Sequence, residues 1–475
     1  MMMALKHNAR PIGWIFLAML MLAGCGDDAN TQSGTGDDDA NNAANNDENN
    51  TNNNDTNNDQ NNDGGDACEP SPEPIFLAFG GSVLDPDLTI AANNERALVV
   101  WQEFGNDDLG SLVDGPVRAL TLEADQTQTP QAQIIFDPAQ QEGEVNGSVL
   151  LTSQGEDFVA VWNHKTGPGD FDIEVRGIGF DSKGEPGDTQ TLDPGPAARF
   201  GVTPGERPDG TALITTWPPP DENADEFDFR IWGGLDDTPT SAKVAFDPQS
   251  SIRFSSVRLI GLADGGLAAI YEKDDDPNAY WENLDADDVR ITGQGKVITD
   301  GGIALRARAG QGRTAFFGES RREDTNGETL STQIRVVLVD DEGNTITDTL
   351  LAEDNDPFNS GLTEGELLFD GDELIVLWTR RFIDAQTAFE RAEIYSARMN
   401  PTTGALITPA ALLMELDDHD ELSEAPGGFS PRTQFALSAG RVAMVYSTGV
   451  FEAFDNDSRF EFDGLNYHFM WICVP

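Results

Sequence analysis

Carboxylates are the most abundant side chains in this sequence that could bind a cation or transfer a proton. Asp and Glu total 84, against 29 Lys and Arg and 4 His. Two runs, Asp274-Asp275-Asp276 and Asp455-Asn456-Asp457, bring several carboxylates together within a few residues. Because Ca²⁺ prefers oxygen ligands, these two runs are the candidate Ca²⁺ sites, although neither matches an EF-hand.

The sequence selects no catalytic residue. Its histidines are scattered, and no His or Cys cluster has the spacing of a zinc site. It also lacks the phosphate-binding Gly-Lys-Ser/Thr loop and the Gly-x-Ser-x-Gly elbow. A glycosidase needs two carboxylates about 5–10 Å apart in a cleft, and in so acidic a chain such pairing singles out none. Whether the protein is an enzyme therefore stays open.

The elements that must position these groups recur along the chain. Seven short apolar segments end in an aromatic residue, at intervals of 46 to 68 residues. Each follows a turn signal, such as Gln154-Gly155-Glu156-Asp157, that is itself preceded by another apolar run, which predicts a β-hairpin. The seven aromatic residues are Trp101, Trp162, Trp217, Tyr271, Phe317, Trp378 and Tyr446.

A second predicted hairpin follows each aromatic residue, and its first strand often carries an apolar residue followed by Arg. Four strands per unit and seven units predict an all-β chain, a β-propeller with seven four-stranded blades. Six or eight blades would result if the weak fifth segment, 313–317, is misread. The arginines are expected to form a surface ladder or to pair with nearby acids, rather than to ring an anion; they are Arg118, Arg176, Arg230, Arg290 and Arg335.

The two ends of the repeated region are predicted to meet. The last unit is one strand short, and the apolar segment 74–79 could supply its outer strand, which would close the ring and remove an unpaired edge. Cys68 and Cys473 lie at the ends of this region. In an exported protein, where disulfides persist, a Cys68–Cys473 bridge is expected to staple the closing blade.

The connections after the aromatic residues are long and acidic, and in a propeller they all emerge on one face. Binding residues concentrate on loops that a rigid scaffold holds, so we expect a negative face that attracts Ca²⁺ or basic protein surfaces. An acidic surface that only solubilises the protein is the alternative. The candidate binding-face residues are Glu103, Asp107, Asp108, Asp225, Glu226, Asp285, Asp287 and Asp288.

The N-terminus has the features of an export signal. Lys6 and Arg10 precede an apolar run, residues 12–21, that is too short to span a bilayer as a helix. The run leads into Leu22-Ala23-Gly24-Cys25, which resembles the lipobox of bacterial lipoproteins. The resemblance implies a signal peptide over 1–24, lipidation of Cys25 and anchoring in the cell envelope. Gly26, in place of Asp, favours the outer membrane.

Composition divides the rest of the chain into a tether and a domain. Residues 26–66 are mostly Asn, Asp, Gly and Thr, without Lys, Arg or aromatic residues, so they are expected to be disordered. The predicted organisation is therefore a signal peptide over 1–24, lipidated Cys25 with its tether over 25–66, and a propeller over 67–475. No named propeller subfamily fits the repeats.

Charge narrows the function. A net charge of −55 and a pI near 4.1 exclude nucleic acid as an expected partner, because phosphate binding needs a basic patch. We therefore expect a monomeric, membrane-anchored binding or scaffolding module that acts through its acidic loops, with Ca²⁺ as the one candidate cofactor and basic proteins or glycans as partners. The alternatives are a propeller hydrolase or lyase acting on glycans, and a structural envelope protein with no small ligand.

Overall fold

The computed structural model divides the chain into two units, Met1–Gly64 and Gly65–Pro475, and the residues it describes all lie in the second. In the described residues there is no helix, and thus none that could cross a membrane. The described ranges are 73–81, 88–106, 112–123, 131–140, 143–145, 149–167, 173–193, 202–207, 212–216, 226–232, 234–235, 240–245, 252–273, 276–285, 289–299, 306–323, 329–354, 360–383, 390–417, 433–438, 440–453 and 460–475.

The first half of the described chain folds into β1 and the strands of three sheets, numbered I to III in chain order. The strands are β1 (Ile75–Gly81); in sheet I, β2 (Leu88–Ala92), β3 (Arg96–Asn106), β4 (Leu112–Glu123) and β5 (Gln133–Phe136); in sheet II, β6 (Glu144–Val145), β7 (Leu150–Gln154), β8 (Asp157–Lys165), β9 (Ile173–Phe180) and β10 (Pro186–Asp193); and in sheet III, β11 (Val202–Glu206), β12 (Ala212–Thr216), β13 (Glu226–Trp232) and β14 (Thr240–Ala245).

Four further sheets, IV to VII, follow. Their strands are, in sheet IV, β15 (Ile252–Gly261), β16 (Leu267–Lys273) and β17 (Asp276–Leu284); then β18 (Arg290–Ile291), and β19 (Lys296–Thr299) of sheet IV; in sheet V, β20 (Arg306–Gly310), β21 (Arg313–Glu323), β22 (Thr329–Asp340) and β23 (Thr345–Asp354); in sheet VI, β24 (Ser360–Asp370), β25 (Glu373–Ile383), β26 (Glu390–Met399) and β27 (Leu406–Asp417); and in sheet VII, β28 (Thr433–Ser438), β29 (Arg441–Ala453) and β30 (Phe460–Ile472).

Each sheet contains an antiparallel meander whose strands pair in chain order, as expected for hairpins joined end to end. Three strands lie outside this order: β1 pairs with β30, β18 with β14, and the two-residue β6 with β8, next to β7, the first strand of the meander in sheet II. The first strands of successive sheets contact one another, and β28 of sheet VII contacts β2 of sheet I, so these contacts form a closed cycle through β2, β7, β11, β15, β20, β24 and β28. The cycle places the first strand of every sheet on the inside.

The core lies between the sheets. Seven clusters of buried apolar residues each join two successive sheets, including sheets VII and I. The repeated aromatic residues at the described positions are buried in these clusters. Phe136 of sheet I contacts Trp162 of sheet II with ring centroids 6.3 Å apart, and Phe317 of sheet V contacts Trp378 of sheet VI at 6.2 Å.

The N-terminal strand completes the last sheet, as the sequence predicts. β1 pairs antiparallel with β30, with Ile75 opposite Phe469, and gives the strand order β1-β30-β29-β28. Between sheets VII and I, the Trp471 indole donates a hydrogen bond to the Glu123 carbonyl at 3.1 Å. Cys473 is disulfide-bonded. Its partner lies outside the described residues, so pairing with Cys68 stays a prediction.

The hairpin turns between third and fourth strands tie neighbouring sheets together. In the turn between β22 and β23, the Asp340 carboxylate accepts hydrogen bonds from the Glu342 and Asn344 amides. Gly343 has a φ of +75° there, and a Cβ at this position would lie 2.1 Å from Cδ1 of Trp281, in sheet IV. Glycine is therefore required both by the backbone and by the close packing of sheet V on sheet IV.

Four of the five repeated arginines form ion pairs, as expected: Arg118, Arg176, Arg230 and Arg335. Arg118 lies opposite Trp101 in the β3–β4 register, and its Nε is 2.6 Å from Oε1 of Glu103. Similarly, Nη1 of Arg230 lies 2.6 Å from Oδ1 of the buried Asp193. These side chains are engaged within or between sheets.

One assignment from the repeat is wrong. The sequence pattern places Arg290 in the third strand of the fourth unit, but that strand is β17, because the more apolar Ala279-Tyr280-Trp281 segment pairs with β16. Arg290 lies instead in β18, which runs parallel to β14 and adds a fifth strand to sheet III. The crossing covers the edge of that sheet.

Candidate functional site

A cavity of about 460 Å³ lies between the first strands of the sheets. Six of these strands contribute to its lining, namely β2, β7, β15, β20, β24 and β28. Because residues that are far apart in the chain meet here only through closure of the cycle, the fold as a whole positions this site. We call it the axial cavity.

The lining of the axial cavity is positively charged. Arg258 of β15 and Arg306 and Arg308 of β20 face it, and Glu366 of β24 is the one carboxylate among the described lining residues. Three positive charges against one negative leave a formal charge of +2. The described lining of the cavity is thus positively charged in a chain whose net charge is −55.

Strand geometry explains two of these arginines. Arg306 and Arg308 are two residues apart in β20, with Ala307 between them. Since alternate side chains of a strand share a face, the two guanidinium groups project on the same side of β20, while Ala307 and Ala309 belong to the apolar cluster between sheets IV and V. Arg258 comes from β15, the first strand of the preceding sheet, which contacts β20.

The three arginines differ in their partners. Nη1 of Arg308 lies 3.6 Å from Oε1 of Glu366, and Nε of Arg306 donates to the Gly365 carbonyl at 3.1 Å. For Arg258, no ion pair is formed with another described residue. Burial, together with repulsion from Arg306, lowers the pKa of Arg258, against a smaller opposing effect of Glu272.

The other described lining residues combine apolar surface with uncharged polar groups. The apolar part includes Ile90, Leu151, Leu259 and Phe435, which can contact a carbon skeleton. Hydroxyl and amide groups that could accept or donate hydrogen bonds come from β2, β7 and β28: Thr89, Thr152, Ser153 and Gln434.

Of the predicted Ca²⁺ residues, Asp276 is the one that lies in the described part of the chain. Asp276 accepts hydrogen bonds from the Tyr280 hydroxyl and, at 3.0 Å, from the Asn278 amide. The Tyr280 hydrogen bond is the largest cause that lowers the pKa of Asp276. In the described ranges no group of three or more His, Cys, Asp or Glu could hold a metal; Asp274, Asp275, Asp455 and Asp457 lie outside those ranges.

Several predicted binding-loop residues belong to strands instead. Glu103 lies within β3, while Glu226 and Asp276 are the first residues of β13 and β17. The physical reason is that the hairpins between second and third strands continue pairing past the aromatic position, as in the register of Phe104 with Asp114. Asp285 is exposed at the end of β17. The remaining loop residues, Asp107, Asp108, Asp225, Asp287 and Asp288, lie outside the described residues.

Sequence reasoning missed the arginines of the axial cavity. It followed the Arg that recurs in third strands, whereas these three occur in first strands of sheets IV and V, and the positions do not repeat from sheet to sheet. The alternation Arg306-Ala307-Arg308-Ala309 is the available signal, because it places charge at regular intervals on one face of an interior strand. Nothing in the local sequence indicates that Arg258 joins them.

No protein-family model matches this chain, and no curated protein does. Solved structures with a similar fold include a polysaccharide lyase PL25 ulvan lyase, with a TM-score of 0.47 and 10% identity over 82% of this chain and 96% of that one. The phage phi92 endosialidase gives 0.42 and 10% over 85% and 69%. The core factor of S. cerevisiae gives 0.42 and 8% over 86% and 61%. Likenesses this distant carry no functional argument.

Proposed function

We propose that the chain is a lipid-anchored, exported protein whose domain is a seven-bladed β-propeller. The seven meandering sheets, the cycle of contacts between their first strands and the seven apolar clusters between neighbouring sheets support this architecture. The lipobox-like segment ending at Cys25 supports the anchor, and residues 26–66 would tether the domain to the outer membrane.

The function that the site supports best is binding of a small anionic ligand in the axial cavity. The observation that carries this proposal is Arg258, a half-buried guanidinium group that lines the cavity without an ion-pair partner in the described chain. Burying an unpaired charge is costly, and a bound anion would offset that cost. Arginine is well suited to the task, since its planar fork binds carboxylate, sulfate or phosphate through paired hydrogen bonds.

Overall charge favours a small ligand over a polyanion. A chain with a net charge of −55 repels a long polyanion along its surface. By contrast, charges separated by more than about 8 Å are largely screened at physiological ionic strength. A compact anion inside the cavity would therefore respond mainly to the nearby arginines.

Calorimetric titration tests this proposal. The protein would be titrated at low ionic strength with D-glucuronate, tartrate and sulfate, and with D-glucose as the neutral counterpart of glucuronate. We expect at least one anion to bind and glucose not to bind. Arg258→Met should weaken anion binding about tenfold or more, since a hydrogen bond to a charged group contributes about 1.5–3 kcal/mol. Equal behaviour of anions and glucose would refute the proposal.

A glycan-acting enzyme is the second candidate, because the same arginines could bind a uronate carboxylate. Hydrolysis by a carboxylate pair would need an acid in addition to Glu366, from outside the described lining. Incubation with uronate-containing oligosaccharides, followed by product chromatography, separates the two functions. Shortened products that disappear in Arg258→Met would favour the enzyme, and unchanged oligosaccharides that nevertheless bind would favour the binding protein.

The acidic loop face remains a separate proposal. Glu103 is engaged with Arg118 at 2.6 Å, so this carboxylate contributes less to a free negative surface than the sequence suggests. The remaining predicted face would attract Ca²⁺ or basic protein surfaces. Such an interaction would be independent of the axial cavity, and Arg258→Met should leave it unchanged.

A further inference from the structure

The three cavity arginines differ in how their charges are balanced within the chain, and this difference indicates which of them bind a ligand. Arg308 is neutralised by Glu366, with 3.6 Å between Nη1 and Oε1. Arg306 is held only by a neutral group, the Gly365 carbonyl, through its Nε. Arg258 has no ion-pair partner in the described chain. Within the described residues, neither Arg258 nor Arg306 forms an ion pair, and the negative charge of Glu272 is only the smallest of the effects on the pKa of Arg258.

The two arginines line the same cavity. They lie on neighbouring first strands, β15 and β20, and repulsion from Arg306 contributes to the lowered pKa of Arg258. The Gly365 carbonyl fixes the Nε edge of Arg306 at 3.1 Å. Because an arginine has five N–H donors, its terminal nitrogens can still bind an anion. A shared anion would relieve the repulsion between the two groups.

We infer that the ligand is a small dianion, such as an organic dicarboxylate, and that Arg258 and Arg306 bind its two negative charges. Glu366 limits the ligand to two charges. This inference rests on the proposed binding function and adds the chemical class of the ligand. Glu366 forms an ion pair with Arg308. This arginine therefore already has a counter-charge, which a third anionic group on the ligand would otherwise supply. A ligand with three carboxylates would place its third group against Glu366.

The inference predicts how binding affinity depends on the number of carboxylates in the ligand. Titrations would use butyrate, glutarate and propane-1,2,3-tricarboxylate, which carry one, two and three carboxylates on short chains. For the wild-type protein we expect glutarate to bind about tenfold more tightly than butyrate, because a second charge-assisted hydrogen bond forms. The tricarboxylate should bind no more tightly than glutarate.

Glu366→Gln is the decisive variant, since it removes the ion-pair partner of Arg308 while keeping nearly the same shape. It should raise the affinity for the tricarboxylate about tenfold relative to glutarate. Glu185→Gln is the matched control, because it removes one negative charge at an exposed turn outside the cavity and should leave the ratio unchanged. Circular dichroism would verify that each variant folds.

The outcomes separate this inference from the proposed function. If glutarate binds wild type but Glu366→Gln leaves the tricarboxylate-to-glutarate ratio unchanged, the role of Glu366 is refuted and the binding function stands. If butyrate and glutarate bind wild type equally, the paired role of Arg258 and Arg306 is refuted. If no anion binds in preference to its neutral counterpart, the proposed function fails, and the inference fails with it.

Discussion

Gly343→Ala should strongly destabilise the fold if the turn between β22 and β23 packs against sheet IV. The φ of Gly343 is +75°, and placing an L-residue in this region costs about 1–2 kcal/mol. The new Cβ would also lie 2.1 Å from Cδ1 and 2.6 Å from Cγ of Trp281. Trp281 is only 1% exposed, so it has little room to move, and overpacking of this kind costs about 1–3 kcal/mol.

These two contributions together predict a loss of about 2–5 kcal/mol in the free energy of unfolding. Gly371→Ala is the matched control. Gly371 has a φ of +54°, but no atom would lie within 4 Å of its Cβ. The control should therefore show only the backbone cost, about 1–2 kcal/mol. Urea titration followed by Trp fluorescence measures both variants, and the m-value checks that the same surface is exposed on unfolding.

The comparison between the two variants isolates the contact between sheets. A difference of about 1–3 kcal/mol is expected, with Gly343→Ala the less stable variant. Equal losses for the two variants would mean that the turn of sheet V does not press on Trp281. The reasoning that these glycines lock neighbouring sheets together would then be wrong.

Three further predictions follow from the structure and sequence. Tyr280→Phe removes the hydrogen bond that lowers the pKa of Asp276, so NMR titration should show that pKa rising towards its ordinary value. In the wild type, folding lowers the pKa of this carboxylate. It therefore stabilises the fold above about pH 4 and loses that contribution on acidification. Reduction of the Cys473 disulfide should lower the free energy of unfolding by about 2–5 kcal/mol, and an unchanged melting temperature in dithiothreitol would contradict this. If Asp274, Asp275, Asp455 or Asp457 bind Ca²⁺, melting in Ca²⁺ should exceed melting in EDTA, by about 2.7 kcal/mol at a hundredfold excess over Kd, and coincident curves would refute the site.

Local sequence signals were sufficient where the structure is built from hairpins. The Gln154-Gly155-Glu156-Asp157 turn is present, with Gly155 at a φ of +62° and Gln154 paired with Asp157. The completion of sheet VII by the N-terminal strand also follows from the sequence. The last unit lacks a fourth strand, and the apolar segment at the start of the repeated region belongs to no other unit. Both inferences depend on a pairing pattern that recurs from one unit to the next.

Tertiary features were harder to predict because no local pattern encodes them. Arg258 and Arg308 are 50 residues apart in the chain and face one cavity only because β15 and β20 are neighbouring first strands. The position of Arg290 in β18, at the edge of sheet III, depends on a crossing between sheets that the repeat does not show. The acidic loops were assigned too early, since strand pairing continues beyond residues such as Glu103.

The central claim is that an anion binds in the axial cavity between Arg258 and Arg306. Crystals grown with sodium selenate, a dianion whose selenium scatters anomalously, test it most directly. We predict an anomalous peak inside the cavity, within hydrogen-bonding distance of both guanidinium groups, that disappears in Arg258→Met crystals. Selenate peaks confined to surface positions, with none in the cavity at the same concentration, would contradict the account.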